Sequence, residues 1–339
     1  MQNSGNTIYT QLATPAFIGA ISRIPDIQNM TCFEKPQAFN PVTVFRSLFV
    51  EGKRDEEIVL QLGKTISDFK DKLQGVDLSN VDLQNINLAG ANLQNALLTD
   101  ANLKGATLDN ANLQGANIDW AELQGSSLNG ANLQGASLQW ANFQNASLVG
   151  ADLRKADLFE AIFNQTNIGM ANLKNQSLIF SNIKNSSFEN TDLEGASLEG
   201  LDFKRTNFKG ANLQNAFIAF ADLSGAFFVK ANLKGAILDY AILQSAYFLL
   251  SDIQGASLEG AELQKASFSR VNLKGAILND AEFQDATFNE VNFTETEGLT
   301  TQQLCDANML SCIEINPNLK NETNKICPFK FVLNGCNDK

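Results

Sequence analysis

A five-residue period, held without insertion or deletion from Val76 to Glu295, constrains this chain more than anything else in it. Forty-four consecutive pentads can be counted, and the middle position of each is Leu, Phe or Ile, as at Leu78, Leu113, Ile118, Phe143, Leu198, Phe248 and Phe293. Two places earlier stands a small residue, mostly Ala, as at Ala91, Ala131, Ala221 and Ala286. Five is neither a helical period nor the plain alternation of a strand. It fits a short strand followed by a two-residue corner, in which the pentad centre and the residue two before it point inward and the residue between them points out. The corner positions favour Gly and Asn, as at Gly105, Gly115, Asn145 and Gly235, which suits tight turns with positive φ.

A longer correlation gives the size of one coil. Residues 92, 112, 132 and onward in steps of twenty to 292 are all Asn or Asp, whereas the column ten residues out of phase, from Asp82 to Glu282, includes Ile162, Ile242 and several Glu. Four pentads therefore make one turn, and the repeats predict about eleven coils in a rod on the order of 50 Å long. A solenoid grows by adding coils rather than cores, so 339 residues imply one elongated domain and not two globular ones.

The runs Ala91-Asn92-Leu93-Gln94-Asn95, Ala111-Asn112-Leu113-Gln114-Gly115 and Ala131-Asn132-Leu133-Gln134-Gly135 resemble the A-(D/N)-L-X-X signature of the pentapeptide-repeat proteins. The resemblance covers 220 of the 339 residues. It implies an all-β solenoid, a right-handed quadrilateral β-helix, and no single activity. The family's best-understood members are DNA mimics that interact with topoisomerases, so modulation of a type II topoisomerase is one function it implies.

Outside the repeats, residues 1–40 lack a period, carry Pro15, Pro25 and Pro36, and read as an irregular arm. Residues 41–75 read as a helical N-terminal cap. Asn40-Pro41 forms a helix start, and Ile58, Leu62, Ile66, Phe69 and Leu73 set the apolar face of a second helix from about Asp55 to Leu73. Residues 296–339 read as a C-terminal cap and tail, opened by the capping-box pattern Thr300-Thr301-Gln302-Gln303 and a short helix through Leu304, Met309 and Leu310. The tail holds Cys305, Cys312, Cys327 and Cys336, and the spacing and lack of His argue for disulfides stapling the tail rather than for zinc. Such disulfides point to an oxidising compartment. No basic residue precedes the apolar run Pro15–Ile21, which argues against a secretory signal peptide and for the cytoplasm.

Net charge is −12 and falls almost wholly on the repeats, which hold 24 acids and 13 bases. That argues against direct binding to nucleic acid and leaves basic partners open. No run approaches the length of a membrane span, no cofactor or metal site is indicated, and without His the common nucleophile and base pairs lack a member. The informative positions are the apolar residues that point outward. One face and its corner collect Trp120, Trp140, Phe180, Phe217, Phe220, Ile237 and Tyr240; the opposite face collects Met170, Phe227, Val229, Tyr247, Leu249 and Leu250. The expectation is a non-catalytic scaffold that binds a protein partner or a second copy of itself through these stripes, unless the chain's own arm or tail covers one of them.

Overall fold

The computed structural model describes residues 70–328 and, beyond them, the backbone of Phe331–Val332. The expected arm over 1–40 and all but the last residues of the expected cap over 41–75 lie outside the described residues, as do Cys32 and Cys336. Lys70–Lys72 form a single 3-10 turn, tied to the first coil by the Lys70 carbonyl, which accepts the Asn92 N–H at 2.9 Å.

From Asp77 onward the chain is a parallel β-solenoid of stacked coils. Most pentads close their own corner: the Leu78 carbonyl accepts the Val81 N–H at 3.3 Å, and the same link recurs along the chain, as from Leu93 to Ala96. The remaining backbone groups reach the adjacent coils. Leu78 N–H donates to the Leu97 carbonyl at 2.7 Å, and Leu97 N–H donates back to the Val76 carbonyl at 2.9 Å. Bridges join residues twenty apart along four columns that begin Asp77 to Leu97, Asp82 to Asn102, Asn87 to Thr107 and Asn92 to Asn112, so the coil is four-sided. The corner residue has positive φ, near +66° at Gly105 and +56° at Asn95, as the third position of a type II-like turn requires. Two rungs are missing among the described coils, Asn182 to Asp202 and Asp157 to Ser177; at the latter Gln176 takes the inward place of an Ala and its Nε2 donates to the Ala156 carbonyl at 2.7 Å.

On one side the bridges lengthen into strands: β1 (Phe227–Val229), β2 (Tyr247–Leu249), β3 (Ser267–Ser269) and β4 (Thr287–Asn289), paired in parallel with Phe227 opposite Tyr247 and Phe228 opposite Phe248. Behind them stands an interior ladder, Phe188, Phe208, Phe228, Phe248, Phe268 and Phe288, all fully buried. Its successive rings stack with centroids 4.6 to 5.4 Å apart. Strand separation and ring stacking share nearly the same spacing, so one Phe per coil satisfies both.

The C-terminal end departs from the sequence expectation. Helix α1 spans only Thr301–Asp306, with Thr300 as N-cap and the capping box with Gln303 formed. Met309 and Leu310 do not extend it: Met309–Ser311 is strand β5, parallel to β4, with Leu310 opposite Phe288. The exposed backbone of the last regular coil outweighs local helical spacing, since β4 gains a partner and Leu310 continues the Phe ladder. Gln303 meets the end of the coil with its side chain, Nε2 donating to the Leu278 and Ala281 carbonyls at 2.8 and 2.9 Å. Helix α2 (Pro317–Ile326) follows, and β6 (Phe331–Val332) pairs with β5. Cys305 of α1 is disulfide-bonded to Cys327 at the end of α2, Cα to Cα 5.8 Å; Cys312 is disulfide-bonded as well.

Candidate functional site

One corner column of the solenoid reads Trp120, Trp140, Glu160, Phe180, Gly200, Phe220, Tyr240, Gly260. Every one of these residues has positive φ, between +53° at Glu160 and +70° at Phe180. Gly adopts that conformation freely, whereas a side chain beyond Cβ costs about 1–2 kcal/mol there. Five aromatic residues in this column therefore oppose folding locally, and all but the half-buried Trp140 are largely in water: Trp120 is 52 % exposed, Phe180 70 % and Phe220 64 %.

The rings form a ladder up the outside of the rod. Trp120 stacks on Trp140 at 4.5 Å and 10°. Trp140 Nε1 donates to Glu160 Oε2 at 3.1 Å, and Phe159 takes the aromatic step that Glu160 omits, lying edge-on to Trp140 at 5.5 Å and to Phe180 at 5.7 Å. The ladder breaks at Gly200, resumes as Phe220 stacked on Tyr240 at 5.5 Å, and ends where the Tyr240 ring lies over Gly260, 2.5 Å from where a Cβ would stand. Phe217 and Ile237 bridge each other on the flat face beside this corner. Sequence reading by column overlooked Phe159, because it stands one place before the corner; the signal was an aromatic next to the one acidic break in the column.

The opposite stripe is smaller. Register places Phe227 beside Tyr247 and Val229 beside Leu249; Phe227 and the adjoining corner residue Leu250 are exposed. Met170 is exposed too, but Asn190, Gly210 and Lys230 separate it from Leu250 in their shared corner column.

Polar columns hold the coils together. In the Asn/Asp column, Asn232 Nδ2 donates to Asn212 Oδ1 and Asn212 Nδ2 to Asp192 Oδ1, both at 3.0 Å. The same side chains accept the N–H two residues on, as Asn132 Oδ1 does from Gln134 at 3.1 Å. Asp119 serves the next coil instead, accepting from Ser137 Oγ at 2.6 Å and from the Gln139 N–H at 3.0 Å; Asp239 does the same for Ser257 and Glu259. The Arg154 guanidinium, bidentate on Asp152 at 2.6 and 2.9 Å, is the main cause that holds that carboxyl at about 2. Lysines bridge coils to acids, among them Lys174 to Glu194 at 2.8 Å, Lys209 to Glu189 at 2.7 Å and Lys234 to Asp252 at 3.0 Å. Among the described residues no group of three or more Cys, Asp or Glu side chains converges as a metal site, and no helix is long and apolar enough to cross a membrane. A cleft of about 300 Å³ lies at the C-terminal end, between Phe293 and Leu299 on one side and Leu319 and Glu322 of α2 on the other.

A four-sided parallel solenoid with a Leu/Phe and Ala interior defines a repeat protein. Models of pentapeptide repeats match residues 72–108, 96–135, 136–175, 186–218 and 218–248, and a second pentapeptide-repeat model matches 253–297. Together these take in more than half of the chain, which belongs to the pentapeptide-repeat family. Among solved structures it is similar to HetL, a pentapeptide repeat protein involved in heterocyst differentiation regulation in the cyanobacterium Nostoc sp. strain PCC 7120. The identity there is 26 % over 76 % of this chain and 94 % of that one, with a TM-score of 0.35. It is also similar to QnrB1, a plasmid-mediated fluoroquinolone resistance protein (15 % identity, 68 % of this chain and 92 % of that one, TM-score 0.30). A third likeness is to a pentapeptide repeat protein from the thylakoid lumen of Arabidopsis thaliana, 28 % identical over 33 % of this chain and 61 % of that one, with a TM-score of 0.14. No curated protein sequence matches the chain.

Proposed function

We propose that this protein is a non-catalytic scaffold that binds a protein partner, or a second copy of itself, through its outward aromatic stripes. The observation that carries the reading is the set of aromatic residues held at left-handed corners, of which Trp120, Phe180, Phe220 and Tyr240 are exposed and Trp140 is half-buried. A corner needs only Gly or Asn, so these rings cost local stability, and all of them but Trp140 remain exposed. Stacked aromatics on a rigid support make good anchors for a partner. Acids that might have served chemistry, such as Asp119 and Asp239, are engaged in linking coils.

The test replaces Trp140, Phe220 and Tyr247 together by Ser. Partner capture, or self-association in sedimentation, is expected to be lost while the circular dichroism and melting transition persist; unfolding of the rod would assign the stripes to internal packing instead. A disulfide-capped rod in a lumenal, periplasmic or secreted setting is a compatible second reading, favoured by the Cys305–Cys327 bond. Action on a type II topoisomerase by DNA mimicry has weaker support: eleven net negative charges over roughly 50 Å of repeats is one per ~5 Å, against one per ~1.7 Å in duplex DNA.

A further inference from the structure

The break in the aromatic ladder at Gly200 differs from the one at Gly260. A Cβ at Gly200 would meet nothing within 4 Å, whereas at Gly260 the Tyr240 ring occupies that space. Phe180 leaves the floor clear because its ring packs against Phe159 at 5.7 Å, and Phe220 because its ring stacks on Tyr240 at 5.5 Å. The two walls are two coils apart, roughly 9.5 Å at ordinary strand spacing. A cation midway would sit about 5 Å from each ring, within the ~6 Å reach of a cation–π contact.

The residue before Gly200 in the chain, Glu199, has a carboxylate oxygen without a partner. In the column that precedes the corner, Asp119 and Asp239 each accept a hydroxyl from the next coil, Ser137 and Ser257. Glu199 occupies the same column, but Phe217 stands where the serine would be. Its Oε2 is buried with no hydrogen-bond partner, the one ionisable group among the described residues with such an atom. A buried carboxylate oxygen left unpaired is costly, and the charge that would pair it is positive.

We propose that Glu199, Phe180 and Phe220 form a receptor for a lysine or arginine side chain presented by a basic segment of a protein partner. The proposal rests on the reading of the stripes as an interaction surface and names the chemistry of what they bind. An apolar partner would cover the rings and leave Glu199 unpaired; a basic one satisfies both, and the net charge of −12 draws it in from a distance.

Glu259 provides the control, since it also precedes a corner glycine but its opening is closed by Tyr240. A fluorescein-labelled peptide alternating Arg and Gly is titrated into the full-length protein at near-physiological salt, with anisotropy and melting temperature as readouts. Glu199→Gln is expected to weaken binding about tenfold or more and to leave the melting temperature unchanged or raised, while Glu259→Gln stays within about twofold of the wild type. Equal effects of the two substitutions would reduce the binding to general attraction by an acidic surface and overturn the site. Absence of binding to the wild type, with a lower melting temperature for Glu199→Gln, would mean that a cation of this chain already pairs with Glu199, and would overturn it as well. Either failure leaves the stripe reading to its own test, because Trp140 and Tyr247 lie outside the receptor and can be replaced by Ser with Glu199, Phe180 and Phe220 intact.

Discussion

The rod carries two aromatic ladders of the same pitch in opposite surroundings. Inside, Phe228, Phe248 and Phe268 stack at 4.7 and 4.6 Å and are wholly buried. Outside, Trp120 and Trp140 stack at 4.5 Å and Phe220 and Tyr240 at 5.5 Å, yet Trp120, Phe220 and Tyr240 are each more than half exposed. The interior rings sit at pentad centres in strands, and the exterior ones sit at corners with positive φ. Stacking alone therefore does not explain a ladder. The inner one is accounted for by the water it excludes, and the outer one lacks that term and carries backbone strain besides, so its reason lies outside the coil.

The sharpest way to break this contrast is to truncate one ring in each ladder. Phe248→Ala leaves a cavity between Phe228 and Phe268 and is expected to cost about 3–5 kcal/mol in urea denaturation. Loss of less than about 1 kcal/mol would mean that the coils close over the gap and that the inner ladder is not what holds them in register. Phe220→Asn should behave differently. It removes a stack with Tyr240 worth about 0.5–1.5 kcal/mol and relieves left-handed strain of about 1–2 kcal/mol. The net change is expected to stay within about 1 kcal/mol of zero, of either sign. A cost near that of Phe248→Ala would make the outer ladder a structural member and remove the basis for an interaction surface.

What the sequence disclosed follows the same division. The period of five and its twenty-residue harmonic placed every inward Leu, Phe and Ala, because each coil repeats one solution to the same packing problem. Folding on twenty also sorted Trp120 through Tyr240 onto one side and Phe227 through Leu250 onto the other. It did not place Phe159 in the ladder, since that depends on how a ring turns beside Glu160, nor the orphaned oxygen of Glu199, which depends on Phe217 one coil on. At the C-terminal end, Met309 and Leu310 read as helix by local spacing and became β5 because an open coil edge lay beside them. Repeat rules determine what is common to the coils; the exceptions depend on neighbours twenty residues away.

The smallest expected effect concerns the polar columns that share the outer surface with the rings. Asp152 continues the Asn/Asp column and binds Arg154 through both oxygens, with Gln134 Nε2 at 2.6 Å on one of them. Its carboxyl is lowered from 3.8 to about 2. A carboxyl lowered on folding stabilises the fold above its unfolded value, and that contribution is lost as pH falls from 3.8 towards about 2. Taken at full weight the shift would be worth roughly 2.4 kcal/mol. Arg154 is exposed, however, and a pair two residues apart in sequence partly survives unfolding, so less than about 1 kcal/mol should remain. Asp152→Asn is thus expected to lower stability slightly at pH 7 and to converge with the wild type near pH 2. A gap that persists unchanged at low pH would assign the role of Asp152 to hydrogen bonding that Asn cannot replace. The outer surface would then hold its coils by column geometry rather than charge.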